Sequence, residues 1–282
     1  MPLLRDIARE ILGDSYASII WKRIEIIGDI AVIRKPFGID IDILRRLGIE
    51  MLNRLKYVKS VWLAVTPVEG DYRTREYIHL AGEYRSETVY REHGCSFLLD
   101  ITKVYISPVL SYDHMRIAKL VIEGEKILNM FAGFGGYSIV VSRYAKPSYT
   151  LSIDINPYAV KYMRINIELN RVEAINDVIE GDALTIADGL RCCFDRILMP
   201  LPELVYRAID KSIDLVKNNG FIHPHIFINA NNRREAFEKA SKTLLEYIER
   251  YRVIGRVMGG HVIRSIAPRK YHVTIDIQII KN

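Results

Sequence analysis

From Lys126 to its end the chain alternates short apolar runs with amphipathic stretches, and few folds accommodate that rhythm. KILNMFA (Lys126–Ala132), YTLSIDI (Tyr149–Ile155), NDVIEGDA (Asn176–Ala183), FDRILMPLP (Phe194–Pro202) and FIHPHIF (Phe221–Phe227) read as strands. Between them GGYSIVVSRYA (Gly135–Ala145), PYAVKYMRINIELN (Pro157–Asn170), ELVYRAIDKSIDLVKNNG (Glu203–Gly220) and NRREAFEKASKTLLEYIERY (Asn232–Tyr251) read as helices. Pro157 falls in a first turn, and Gly220 is the expected stop of its helix. Tyr251–Val257 and Arg269–Ile280 close the chain as strands. Parallel neighbours need crossover helices, so this half is expected to form a doubly wound, mostly parallel α/β sheet.

Upstream of Leu110 the pattern is different. Ile24–Lys35 (IEIIGDIAVIRK) reads as a hairpin turning at Gly28-Asp29, and Ile41–Leu55 has helical spacing. Ser60–Val68, Tyr77–Gly82, Glu87–Gly94 and Ser96–Pro108 read as further strands. The expected organisation is an α+β domain over residues 1–110 and a Rossmann-like domain over 111–282.

Composition excludes several classes. Apolar residues make up 49% and charged residues 26% of the 282, a globular profile. No apolar run reaches the roughly 18 residues of a membrane span. The first residues, MPLLRDIAREILGD, carry acids and form an amphipathic helix, not a secretion signal. Cys95 and the adjacent Cys192-Cys193 give neither a disulfide framework nor metal-ligand spacing, and the pair reads as small buried hydrophobes. A reducing cytoplasmic setting and a monomer are expected. The net charge of +6 is compatible with a polyanionic partner, but without a basic tail that surface must be assembled by folding.

In a doubly wound sheet ligands bind beyond the carboxyl ends of the strands, at the switch point. The first βα turn, Ala132-Gly133-Phe134-Gly135-Gly136, is bare, and Gly133 and Gly135 admit close approach of a ligand to backbone. Asp154 ends the next strand 21 residues after Gly133, where a carboxylate can hold ribose hydroxyls. NAD requires a third glycine, and Ser138 stands in its place. S-adenosyl-L-methionine has no pyrophosphate to cradle, and it expects an acid near the third strand, which Glu180-Gly181-Asp182 provides. S-adenosyl-L-methionine is therefore the expected cofactor. His223 and His225 alternate on a strand, yet no Cys, Asp or Glu stands at ligand spacing beside them, so no metal is expected.

NMFAGFGGYSI, IDINPYAV, EGDA and RILMPLP resemble the motifs of the archaeal and eukaryotic tRNA (guanine-37-N1)-methyltransferases and of their paralogues that build the tricyclic base wyosine. The resemblance continues upstream through IIGDIAVI, DYRTRE, GEYRSETVYREHGCSFLLDITKVYISP and SYDHMRI, and ends with SIAPRKYHVTIDIQI. It implies a Rossmann-like methyltransferase domain preceded by an α+β domain on the RNA side, acting on the anticodon-loop region of tRNA. It also implies residue roles. Guanine N1 must lose a proton, and the matching base is Asp113 in YDHMR; such a base is worth about 10²–10⁴ in rate. Asp113 has an alternative role as the N-cap of the helix that follows it. Arg73 in YRTRE matches the cation that meets charge building on guanine O6. His114, Phe131, Gly133, Gly135 and Pro200 match cofactor-side positions; Asp154-Ile155 and Asp182-Ala183 match ribose and adenine contacts. Tyr137, Tyr158 and Tyr162 read as packing.

Three positions depart from the family pattern. Asn129 replaces an Asp, Asp113 a Glu, and Pro200-Leu201-Pro202 an Asn-Leu-Pro. Proline has no amide side chain and no N–H, so only its carbonyl remains for a substrate. Little chain precedes residue 20, where relatives often carry a tRNA-reading domain. Three functions are open: methylation of guanosine N1, which leads; methyl or aminocarboxypropyl transfer to a wyosine precursor; and tRNA binding without catalysis.

Overall fold

The computed structural model describes residues 4–191 and 194–281, so Cys192-Cys193 lie outside the described residues. The chain divides into two compact units, Met1–Pro108 and Val109–Asn282.

In the first unit, α1 (Leu4–Leu12) and α2 (Asp14–Ile19) precede a four-stranded sheet of order β1-β2-β3-β4. β1 (Glu25–Ile27) and β2 (Ile30–Arg34) form the expected hairpin, Ile27 opposite Ile30, across Gly28 at φ 57°. α3 (Ile41–Arg54) then crosses over, so β3 (Ser60–Ala64) runs parallel to β2, and β4 (Tyr77–Gly82) returns antiparallel. Leu44, Leu47 and Met51 of α3 close the core over Ala31, Ile33, Val61 and Leu63. A separate hairpin pairs β5 (Glu87–Glu92) with β6 (Cys95–Asp100). β6 is shorter than the pattern predicts. The Asp100 carboxylate accepts from the Thr102 N–H at 2.8 Å and the Thr102 hydroxyl at 2.7 Å, and this side-chain turn ends the strand.

The second unit opens with α4 (Ser111–Leu120) and then alternates β7 (Lys126–Asn129), α5 (Gly136–Ala145), β8 (Tyr149–Asp154), α6 (Pro157–Leu169), β9 (Asn176–Glu180), α7 (Ala183–Ala187), β10 (Phe194–Met199), α8 (Val205–Leu215), β11 (Val216–Asn229) and α9 (Arg233–Ile248). β12 (Ile254–Ala267) and β13 (Lys270–Ile280) finish it as an antiparallel pair. The seven strands lie in the order β12-β13-β11-β10-β7-β8-β9. β7 is parallel to both β8 and β10, and the chain reverses its direction of travel across the sheet there. One face carries the apolar core, with α7, α8 and α9 packed on Leu128, Leu151, Ile197, Ile222 and Ile277. This is the doubly wound α/β fold expected from the alternation.

Gly220 does not close a helix. α8 stops at Leu215, and from Val216 the backbone is extended and paired with β10, Phe194 opposite Val216. The run VKNN has neither a cap nor a strong helical preference, and pairing with a ready strand edge captures it. Gly220 then lies inside β11, where a Cβ would meet Asp195 O at 2.9 Å.

Candidate cofactor and acceptor site

The turn after β7 sits where the sheet changes direction, and its conformation depends on Asp154. One carboxylate oxygen accepts the Gly133 N–H at 2.6 Å and the other the Asn156 N–H at 2.9 Å. Burial raises the carboxyl above its ordinary range, and the two backbone donors oppose that shift. Gly133 has φ 57°, and a Cβ there would project into open space, so the turn offers bare backbone. Gly135, at φ 94°, behaves differently. Its Cβ would strike Ile139 Cδ1 at 2.9 Å and Met163 Cγ at 3.0 Å, so this glycine is also required for the packing of α5 on α6. Beside Asp154, Ile155 is 40% exposed, an apolar surface at a strand's carboxyl end. Asn156 caps α6 by accepting from Tyr158 N and Ala159 N. Asp182 likewise caps α7, accepting from Leu184 N at 3.1 Å and the Thr185 hydroxyl at 2.9 Å, with Ala183 the first residue of the helix. Phe131 is half-buried against the core, and Pro200 follows β10 half-buried. A bare turn, a carboxylate aligned by it and an exposed apolar residue fit a nucleoside-bearing cofactor.

Asp113 is not a helix cap. α4 begins at Ser111, its N-cap position is Leu110, and Asp113 lies inside the first turn. Its carboxylate is buried, 1% exposed, and both oxygens are engaged. Arg116 Nε donates to Oδ1 at 2.7 Å and the Tyr137 hydroxyl to Oδ2 at 2.6 Å. The Tyr137 oxygen faces His225 Nε2 at 3.3 Å, and His225 Nδ1 faces His272 Nε2 at 2.9 Å. Because Tyr137 donates to Asp113, each ring donates inward, from His272 to His225 to Tyr137. Burial, with Arg116 nearby, pushes His225 down to about 3, so it is neutral near pH 7.

Arg116 also reaches Asp276 Oδ2 at 2.5 Å. Asp276 Oδ1 accepts from His223 Nδ1 at 2.7 Å, and His223 Nε2 accepts from Arg196 Nη1 at 2.8 Å. Burial holds His223 neutral. Burial also opposes ionisation of Asp276, but His223 and Arg116 outweigh it and hold its carboxyl well below the usual carboxylate range. The two imidazoles that alternate on β11 therefore serve a buried hydrogen-bonded network, and among the described residues no group of three or more side chains is disposed to hold a metal.

His114 packs edge-on against the Tyr137 ring, centroids 4.3 Å apart, and lies over Gly136. A Cβ at Gly136 would come within 2.6 Å of His114 Cε1. His114 is buried and cannot swing away freely. Gly136→Ala should therefore lower stability by about 1–3 kcal/mol, read as a fall in Tm. His114→Ala in the same background should recover part of the loss, and an unchanged Tm in the single variant would refute the clash.

Asn129 is fully buried, and its amide donates to Ser138 Oγ at 3.0 Å, which in turn meets Ser152 Oγ at 2.7 Å. Asn129 thus ties β7 to α5, and Ser138 carries the chain of bonds on to β8. Arg73 stands in the first unit at φ 54°, its guanidinium 4.9 Å from the Tyr105 ring centroid. Tyr137, read from the sequence as packing, also donates to Asp113, and the roles of Arg116, His272 and Asp276 escape a reading of the sequence. Their only signal there is the spacing of His223 and His225, and apart from Arg116, on the helix of Asp113, the partners come from elements remote along the chain.

A switch-point glycine turn with its carboxylate, on a sheet of this order, is the nucleoside-cofactor site of a Rossmann-like fold. The TRM5/TYW2 methyltransferase domain matches residues 88–254, and the chain belongs to that family. It is 43% identical over 259 residues to the tRNA 4-demethylwyosine(37)-methyltransferase Taw21 of Saccharolobus solfataricus, covering 92% of this chain and 94% of that one. It is 35% identical to the tRNA (guanine(37)-N(1))-methyltransferase Trm5b of Pyrococcus abyssi over 90% of this chain and 74% of that one. The crystal structure of P. horikoshii TYW2 in complex with MeSAdo superposes with a TM-score of 0.78 at 25% identity, covering 99% of this chain and 98% of that one. The cofactor is S-adenosyl-L-methionine, and the family modifies position 37 of tRNA. No helix among the described residues is long and apolar enough to cross a membrane.

Proposed function

We propose that this protein methylates the tricyclic base 4-demethylwyosine at position 37 of tRNA. The observation that carries the reading is the state of Asp113. Methylating guanine N1 requires a group that takes the N1 proton, and the carboxylate assigned to that task is 1% exposed with both oxygens engaged by Arg116 and Tyr137. Pro200 adds only a carbonyl. A relative from Methanocaldococcus jannaschii, 30% identical, is an aminocarboxypropyltransferase acting at C7 of this base. A carbon acceptor forms its bond to the methyl carbon as the sulfonium S–C bond breaks and then gives its proton to water, so no exposed carboxylate is needed. The relative of highest identity given above acts on this base.

Bound, S-adenosyl-L-methionine supplies an electrophilic methyl group. Asp154 would hold its ribose, Ile155 would cover the adenine, and Asp182 and Ala183 would address the adenine edge. His114, Phe131, Gly133 and Pro200 line the remainder, while Gly135 shapes the turn. Asp113 anchors α4 to α5 through Tyr137, while Arg116 of the same helix ties α4 to Asp276 on β13, and together they position His114. The family resemblance assigns Arg73 the role of cationic donor to the base and the first unit that of RNA contact.

The second reading, N1 methylation of guanosine-37, has the likeness to Trm5b in its favour. One assay separates the two. Purified protein is incubated with S-adenosyl-L-methionine and tRNA bearing either guanosine or 4-demethylwyosine at position 37, and the nucleosides are weighed. A methyl gained only on the tricyclic base is the expected result. A methyl on guanosine alone would overturn the proposal, and an aminocarboxypropyl mass would replace methyl transfer with the larger group.

A further inference from the structure

β11 continues well past its neighbour. Met199, the last residue of β10, pairs with Pro224, yet β11 runs on to Asn229. Five more residues at about 3.3 Å each carry it roughly 16 Å beyond the edge where the glycine turn and Pro200 sit. β13 and β12 follow it outward: Lys270 pairs with Asn229, and Ser265 and Ala267 of β12 pair with Tyr271 and Lys270. The three strands make an arm that stands beside the catalytic edge of the second unit.

The arm is basic. From Arg250 to Ile275 the chain carries six Lys or Arg residues and no acid. Ser265–Lys270 are all exposed. Arg264, Arg269 and Lys270 have no carboxylate partner among the described residues; Lys270 lies 5.6 Å from the Phe227 ring centroid. Arg233 steadies the base of the arm by donating to the Val262 carbonyl. The nearby acids Glu235 and Glu238 are already matched by Lys239 and Arg234. Solvated cations without acid partners, on a projecting rigid ribbon, complement a chain of phosphates.

We infer that the tip of this arm, Arg264, Arg269 and Lys270, grips the phosphodiester backbone of the substrate RNA while the base is held at the catalytic edge. The inference rests on the tRNA reading above.

The test is fluorescence anisotropy with a labelled anticodon stem-loop RNA and the full chain, across a KCl series. The variants are Arg269→Glu with Lys270→Glu, and Arg264→Glu. The control is Lys126→Glu with Arg143→Glu, two exposed residues on β7 and α5, away from the arm. The arm variants should bind at least about 10-fold more weakly near 0.1 M salt, with the log–log salt slope reduced by about 0.7–0.9 for each phosphate no longer neutralised. The control should bind as wild type, and Arg269→Lys should retain affinity, since a point charge suffices. Unchanged affinity for S-adenosylhomocysteine verifies that the variants are folded. Arm variants that keep wild-type affinity and slope would overturn the arm alone. A wild-type protein that binds no RNA would overturn both the arm and the tRNA reading.

Discussion

Replacing Arg116 with Met will cost the folded protein about 3–5 kcal/mol, the loss expected when a buried ion pair keeps its acid and loses its base. Two acids are affected. Asp113 and Asp276 are 1% and 6% exposed, and Arg116 is the cation that bonds both. The effect should depend on pH in a defined sense. In the wild type Asp276 is held ionised below the usual range, so its contribution is complete above about pH 3.9 and is lost as the pH falls through its folded value. In Arg116→Met both carboxylates are buried without this cation, the Asp276 carboxyl loses one of the groups that lower it and rises, and acidification relieves it. The difference between wild type and variant should therefore be largest near pH 7 and shrink towards pH 4. Urea melts at several pH values measure it. Equal stability at pH 7, or a gap that widens on acidification, would show that Arg116 does not hold these acids. Adding Asp276→Asn to the variant should recover part of the loss, because it removes one uncompensated charge.

Asp154→Ala will weaken S-adenosylhomocysteine binding by roughly 10²-fold or more, given about 1.5–3 kcal/mol for each hydrogen bond to a charged group. The carboxylate aligns the glycine turn through the Gly133 and Asn156 N–H groups, so its removal loosens the turn as well as deleting a bond to the ligand. Asp154→Asn keeps one acceptor and should fall between. Burial raises the Asp154 carboxyl, so the wild-type affinity should begin to fall on acidification at a higher pH than an ordinary Asp would dictate. Calorimetric titration at pH 7.5 and at successively lower pH reads both effects. Wild-type affinity in Asp154→Ala would remove this residue from the cofactor site.

Much of the second unit is legible in the sequence because its signals are local. Pro157 behind the Asn156 cap starts α6, and the strand–helix alternation alone implies parallel pairing. The glycine turn and Asp154 are legible for the same reason: a βα turn and the next strand end are brought together by any fold of this class. The resemblance to a methyltransferase family narrowed the cofactor further than spacing did. Gly135 carries a second constraint that such a reading does not reveal, since a side chain there would strike Ile139 and Met163.

What the sequence by itself determined is where local backbone preference decides: the β1–β2 hairpin, α3 and the bare glycine turn after β7 follow from residues within a few positions of one another, and the strand–helix alternation implies the parallel pairing. What only the tertiary structure decided is where residues far apart compete for the same groups. Val216–Gly220 became strand because β10 offered an edge. Asp113 and its helix partner Arg116 are buried together because Tyr137, His225 and Asp276 arrive from three other elements. A carboxylate in a short motif carries no mark of whether it will face substrate or an arginine; burial and the partners that compensate it make that choice, and both are properties of the folded chain.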